Sequence, residues 1–145
     1  MSDAEATLNL HASCVSFESK GVLIIGPSGV GKSGLALQLM ALGAALVSDD
    51  RTDLWVADAQ LLASSPDQIR GLIEARGVGI LRAEPCAIAK IKLVIDMESV
   101  ETERLPPARW VTICGMQKPC LHKVDRTYFP AAILQYLKFG KMEPS

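Results

Sequence analysis

Several absences in the sequence narrow the class of protein. No apolar run approaches the ~20 residues of a membrane-spanning helix, and the formal net charge of -1 leaves no basic excess for a nucleic-acid surface. The first ten residues, MSDAEATLNL, lack the basic and apolar regions of a secretion signal. We therefore expect a cytoplasmic enzyme or binding domain that has neither a membrane nor a nucleic acid as its partner.

The cysteines also lack the spacing of a metal site. No C-x-x-C pair occurs, and the closest two, Cys114 and Cys120, do not have the spacing of zinc ligands. Because the secretion signal is absent, we expect buried or free thiols for these two and for Cys14 and Cys86 rather than disulfides.

The size and composition are those of one domain. The chain has 145 residues, of which 49% are hydrophobic, enough to form a core. There is no internal repeat and no low-complexity segment. We expect a single domain over residues 1–145, with flexible ends at 1–6 and 141–145.

The first half shows the pattern of a strand, a helix and a second strand. The apolar stretch Gly21–Gly26 predicts a strand, and the leucines of SGLALQLMALG predict a helix with Gly43 as its C-cap. The following AALV predicts the next strand. Such a unit indicates two parallel strands in an α/β sheet.

The second half is less regular. DLWVADAQLLA predicts a hairpin that turns near Asp58, and IKLVIDME predicts a buried strand. RWVTICG and CLHKV are weaker strand candidates, and LPPAR, at 105–109, indicates an exposed loop. PAAILQYLKF predicts a closing helix with Pro130 in its first turn.

A phosphate-binding loop lies between the first strand and the helix. GPSGVGKS matches G-x-x-x-x-G-K-S, the Walker A pattern, in the strand–loop–helix context that the motif requires. Glycines let backbone N–H groups face an anion, the helix N-terminus favours negative charge, and a lysine and a serine can serve the outer phosphates and a magnesium ion. The predicted nucleotide-binding residues are Gly26, Pro27, Ser28, Gly29, Val30, Gly31, Lys32 and Ser33.

A carboxylate at a strand end should complete such a site. Asp49 and Asp50 follow AALVS, and Asp96 follows KLVI. The pair is the better candidate, because it comes directly after the helix that leaves the loop and should end the adjacent strand at the ligand-binding edge. One carboxylate can hold the metal while the other accepts a proton from a hydroxyl substrate.

These motifs together resemble the catalytic domain of HPr kinase/phosphorylase, which phosphorylates a regulatory serine of the phosphocarrier protein HPr. The resemblance includes His11 before the P-loop, ALQLMALGAALVSDDRTDLW after it, and IEARGVGIL at 73–81, which is similar to the family's E-x-R-G-x-G-I signature. It implies a mixed α/β sheet with flanking helices, ATP and magnesium as cofactors, and HPr as protein partner. It leaves open a homo-oligomer and the reverse, phosphate-consuming reaction.

The resemblance also implies a role for each residue. Lys32 would bind the β- and γ-phosphates, and Arg76 would hold the signature loop or contact phosphates. Ser33, Asp50 and Glu74 would serve the magnesium ion. Asp49 would take the proton of the substrate serine, and His11 would sit beside Asp49 and tune it. An ion pair between Glu74 and Arg76 is the alternative for those two residues.

The chain also departs from the longer family members. Only about ten residues precede His11, Gly34 stands where longer members often have glutamate, and no proline- and arginine-rich segment occurs near the C-terminus. Two alternatives therefore stay open: a nucleotide-sensing module with little transfer activity, and a P-loop kinase of small metabolites. A GTPase is less favoured because no N-K-x-D motif is present.

Overall fold

The structure is a computed structural model that describes residues 7–142. The expected flexible ends therefore lie outside the described residues, except for positions 141 and 142. None of the helices in the described range is long and apolar enough to cross a membrane. None of the four cysteines, all within the described range, is in a disulfide, as the sequence predicts.

The described chain folds into eleven strands and two α-helices, with a single 3-10 turn at Asp67–Ile69. The helices are α1, Lys32–Ala41, and α2, Phe129–Phe139. The strands are β1 Leu8–Leu10, β2 Ala12–Phe17, β3 Lys20–Ile25, β4 Ala45–Ser48, β5 Thr52–Ala57, β6 Gln60–Ser64, β7 Leu72–Ala75, β8 Gly79–Arg82, β9 Ala89–Val100, β10 Trp110–Ile113 and β11 Met116–Lys123.

Nine of these strands form one mixed sheet within residues 7–142: seven follow the order β1-β5-β6-β9-β3-β2-β4, and β10 pairs with β11, which pairs with β9. The long strand β9 is central: β3 pairs with it in parallel on one side, while β6 and the parallel β11 share its other side. Strands β7 and β8 form a separate hairpin. The predicted α/β class with a mixed sheet and helices is confirmed.

One prediction about this sheet was wrong. Strands β3 and β4 run parallel, as a strand–helix–strand unit suggests, but they are not neighbours, because β2 lies between them and pairs antiparallel with both. Strand β2, the hairpin partner of β3, thus occupies the place that was expected for β4. The consequence is that β2 brings its own residues between the P-loop strand and the strand that ends at Asp49.

Two apolar cores stabilise the sheet, one on each face. Both helices pack on the same face, where Leu39 of α1 and Ile133 of α2, each fully buried, meet Ile24 and Ile95 of the sheet. The other face has no helix in the described chain. It is covered by the curled sheet itself, through residues such as Leu54 and Ile113.

Tight hairpin turns join three pairs of neighbouring strands. Three strand pairs, β2–β3, β5–β6 and β10–β11, are joined by two residues that both have positive φ: Glu18 and Ser19, Asp58 and Ala59, and Cys114 and Gly115. Two positive φ values are what a type I′ turn requires, and this turn matches the right-handed twist of the paired strands. The predicted turn near Asp58 is confirmed.

Candidate active site

The Walker A segment forms the loop between β3 and α1. Gly31 is the N-cap of α1 with φ of 94°, a left-handed conformation that a residue with a Cβ adopts only under strain. The N–H of Leu35 donates to the carbonyl of Gly31, so the N–H groups of the first turn of α1 have no partner within the helix. These N–H groups, together with the glycine loop, form a concavity suited to an anion.

Lys32 folds back over the loop that precedes it. Its ammonium donates to the carbonyl oxygens of Gly26 at 2.7 Å and Pro27 at 2.9 Å, and only 6% of the residue is exposed. Burial lowers the pKa of Lys32, while the charges of Asp50 and Asp49 act in the opposite direction. The two carbonyl groups thus hold the ammonium at the loop, and the nearby aspartates favour its charged form.

Asp49 is a buried hydrogen-bond acceptor that links three elements. Its Oδ1 accepts hydrogen bonds from the hydroxyls of Ser33 at 2.6 Å and Ser13 at 2.9 Å, and its Oδ2 accepts one from the backbone N–H of Glu74 at 3.1 Å. The residue is only 6% exposed. The contacts tie β2, α1 and β7 to the end of β4.

Asp50 leaves the strand and turns toward His11. Its φ is 70°, and the N–H of Arg51 donates to the carbonyl of Asp49 across it, so Asp50 is the centre of a three-residue turn. Aspartate tolerates this conformation better than most residues. The N–H of Ala12 donates to the Asp50 carbonyl, and His11 Nε2 lies 2.8 Å from Asp50 Oδ1.

One predicted contact must therefore be corrected: the structure pairs His11 with Asp50 rather than with Asp49. Ser33 donates to Asp49. The physical reason is a register shift in the β2–β4 pairing, which skips Val47 and leaves Asp49 on the helix face, followed by the positive φ of Asp50, which directs its carboxylate to the rim. The spacing of residues in the sequence does not show which way each of the two side chains points.

The hairpin β7–β8 closes one side of a cleft of about 590 Å³ whose other walls are the P-loop, the start of α1 and the His11–Asp50 pair. Ile73, 1% exposed, anchors β7 in the core. The exposed side chains of Glu74 and Arg76 line the cleft, and no ion pair joins these two within residues 7–142. The hairpin thus presents one carboxylate and one guanidinium group to the cleft.

Other titratable candidates lie outside this cleft. Asp96 accepts a hydrogen bond from the N–H of Glu98 at 2.9 Å within its own strand. His122 lies on β11, with Nδ1 3.9 Å from Glu101 Oε1. In the part of the chain that the structure describes, no three His, Cys, Asp or Glu side chains form a group that could hold a metal ion.

Sequence reasoning missed Ser13 entirely. Serine at an inward-facing strand position matches no motif, and a buried polar residue on an apolar strand was the only signal that could have drawn attention to it. The structure places its hydroxyl in the cleft wall, on the same oxygen that Ser33 contacts.

A glycine loop between a buried strand and a helix, with a serine that faces a buried carboxylate, defines a P-loop domain. The comparison with known families specifies which kind. Residues 3–107 match the model of the HPr Serine kinase C-terminal domain, which covers most of the chain. The chain belongs to that family.

Curated relatives show the same resemblance. The HPr kinase/phosphorylase of Caldicellulosiruptor bescii is 38% identical over 124 residues, which are 77% of this chain and 40% of the relative. That of Bacillus cytotoxicus is 42% identical over 100 residues, 63% of this chain and 32% of the relative. The chain thus spans well under half the length of these curated relatives.

A solved structure confirms the fold. The Hpr(Ser) kinase/phosphatase from Coxiella burnetii superposes with a TM-score of 0.77 at 27% sequence identity, and the match covers 90% of this chain and 88% of that one. The likeness therefore extends beyond residue 107 into the part of the chain that the family model does not match.

Proposed function

We propose that this chain is an ATP-dependent serine kinase that phosphorylates the regulatory serine of HPr. The proposal rests above all on the Asp50–His11 pair, which borders the same cleft as Lys32 and the P-loop. A P-loop alone is common to kinases, GTPases and switches. A carboxylate held by an imidazole beside that loop is what a hydroxyl acceptor needs from a general base.

The phosphates of ATP would lie on the backbone N–H groups of the loop, with Lys32 at the outer phosphates. Ser33 fits a magnesium ion, because its proton is donated to Asp49 and its lone pairs stay available. Glu74 offers a further carboxylate from the opposite wall, and magnesium commonly uses one or two carboxylates together with phosphate oxygens. The ion, when bound, neutralises charge on the transferring phosphoryl group.

Asp50 is the group that we assign to the proton of the substrate serine. Its side chain is 68% exposed, and His11 orients it from one side. Asp49 is less suited, because its two oxygens already accept three hydrogen bonds in a buried position. The contacts thus favour the exchange of the two roles implied by the family resemblance: Asp49 supports the metal-binding serine, and Asp50 acts on the acceptor.

Two matched variants test this exchange. Asp50→Asn should lower the rate of phosphoryl transfer by at least about 100-fold and leave nucleotide binding intact, because a carboxamide cannot accept the serine proton. Asp49→Asn should instead reduce the gain in nucleotide affinity that magnesium gives. Transfer and binding are measured separately, by mass spectrometry and by calorimetry. Full transfer by the Asp50 variant would remove that residue as the base.

The substrate is tested in two incubations. In one, the protein is mixed with HPr and Mg-ATP; in the other, it is mixed with phosphorylated HPr and inorganic phosphate. Modification of the HPr serine supports the kinase, and phosphate-dependent loss of the modification supports the reverse activity. Tight ATP binding without modification of any HPr, including that of the same organism, would leave a nucleotide-sensing module. Phosphorylation of a sugar or nucleoside panel would indicate a metabolite kinase.

A further inference from the structure

Ser13 is a buried hydroxyl that no motif accounts for. It lies on β2, is fully buried, and donates to Asp49 Oδ1 at 2.9 Å. Strand β2 is the element that separates β3 from β4 in the sheet. Ser13 therefore reaches Asp49 only because β2 occupies that place.

The Asp49 carboxylate needs fixed partners because it is almost completely buried. A buried charge is costly unless hydrogen bonds replace its lost water. The N–H of Glu74 holds one oxygen, while Ser13 and Ser33 both donate to the other. Both serines line the cleft, but Ser33 is half-buried at the start of α1, whereas Ser13 is fully buried on a strand inside the sheet.

The direction of the Ser33 proton decides what that residue can offer to a cation. A hydroxyl that donates its proton to a carboxylate presents its lone pairs elsewhere, and a metal ligand must present a lone pair. If the carboxylate rotated, the Ser33 hydroxyl would lose this partner and its fixed orientation. Groups that orient a metal ligand typically change metal affinity by 10- to 100-fold when they are removed.

We propose that Ser13 is a positioning residue: through Asp49 it fixes the Ser33 hydroxyl in the orientation that binds a divalent cation together with nucleotide phosphate. The inference rests on the proposed function, since the ligand is a metal–nucleotide complex. It adds a residue of β2 to a site that is otherwise built from the P-loop, the end of β4 and the β7–β8 hairpin.

The test compares Ser13→Ala with Ser16→Ala in the full chain. Ser16 is also a buried serine of β2, but it lies three residues further along, paired with Gly21 and Ala45, away from Asp49. Binding of Mn²⁺ in the presence of ADP is measured by electron paramagnetic resonance. We expect Ser13→Ala to weaken Mn²⁺ binding roughly 10-fold and Ser16→Ala to leave it unchanged, with ADP affinity in EDTA the same for all.

Two further variants separate orientation from packing. Ser13→Thr keeps the donor and should restore most of the Mn²⁺ affinity. Ser13→Cys keeps a similar side-chain volume but offers only a weak hydrogen-bond donor. It should therefore weaken Mn²⁺ binding as Ser13→Ala does, without the loss of volume that alanine brings. Circular dichroism and thermal unfolding of each variant establish that the fold is retained.

The outcomes distinguish this inference from the kinase proposal. Wild-type Mn²⁺ affinity in both Ser13→Ala and Ser13→Cys would overturn the role of Ser13 and leave the kinase standing. If Ser13→Ala weakens Mn²⁺ binding but the wild-type protein modifies no HPr, the positioning role is supported and HPr is overturned as the substrate. A wild-type protein that binds no Mn²⁺–ADP would overturn both.

Discussion

The adjacent residues Asp49 and Asp50 have opposite environments. Asp49 is buried and accepts three hydrogen bonds, whereas the Asp50 carboxylate is mostly exposed and pairs with His11. The positive φ of Asp50 contributes to this separation. Such local strain persists only where surrounding contacts hold it, and here the Ala12 N–H and the hydroxyl of Ser48, which donates to the carbonyl of Arg51, hold the turn.

At the same scale, Lys32 is expected to control nucleotide affinity. Lys32→Met keeps the apolar stem and removes the charge, so it should weaken ATP binding on the order of 10- to 100-fold, the worth of hydrogen bonds to a charged group. Isothermal titration calorimetry measures the change. Lys92→Met, at an exposed position of β9, is the matched control and should bind ATP normally; equal affinity of the two variants would contradict the role of Lys32.

At the scale of elements, the segment between β9 and β10 is held by an ion pair. Glu101 accepts hydrogen bonds from Arg109 Nε at 2.9 Å and Nη2 at 2.8 Å, and from the N–H groups of Thr102 and Glu103. The LPPAR loop is exposed as predicted, but its last residue, Arg109, is therefore fixed to the end of β9. The hydrogen bonds of Arg109 lower the pKa of Glu101 from its usual 4.5 to about 2.

This pair predicts a pH-dependent loss of stability. Because the pKa of Glu101 is lower in the folded protein, its contribution is complete above pH 4.5 and is lost as the pH falls from 4.5 toward 2. Glu101→Gln should lower the free energy of unfolding by roughly 1–3 kcal/mol near neutral pH, and the difference from wild type should shrink over that acid range.

Urea unfolding at several pH values measures this difference. Glu103→Gln changes an exposed carboxylate of the same loop and serves as the control, which should differ little from wild type throughout. A constant difference between Glu101→Gln and wild type across the acid range would show that the carboxylate charge of Glu101 is not what stabilises the loop.

At the scale of the whole molecule, the C-terminal part completes the core of the site-bearing domain. The family model ends its match at residue 107, yet β11 pairs with the central strand β9, and α2 packs beside α1 on the same face. The P-loop helix α1 is thus supported from a region outside the matched range. Its position depends on α2 as well as on the sheet.

Ile133 tests that dependence. It is fully buried on α2, so Ile133→Ala should lower the free energy of unfolding by about 2–5 kcal/mol through lost burial and a cavity. Gln135→Ala, at an exposed position of the same helix, should change stability little. Chemical denaturation of both variants provides the comparison, and equal stabilities would mean that α2 contributes little to the core.

Local features of the fold could be predicted from the sequence because they depend on neighbouring residues. Gly21–Gly26 indicated β3, which spans Lys20–Ile25, and Pro130 indicated the first turn of α2. The helix after Lys32 was predicted too, although its C-cap is the half-exposed Leu42 and not the predicted Gly43. The helix thus ends one residue earlier than the sequence predicts.

The sequence by itself determined the P-loop and the presence of two aspartates beside it, since a motif and its flanking elements are local properties. The tertiary structure decided which aspartate faces Ser33 and which faces His11, and it brought Ser13 to the same carboxylate. These contacts depend on β2 lying between β3 and β4 and on the positive φ of Asp50. Strand order and the direction of a turn follow from long-range packing, which residue spacing does not encode.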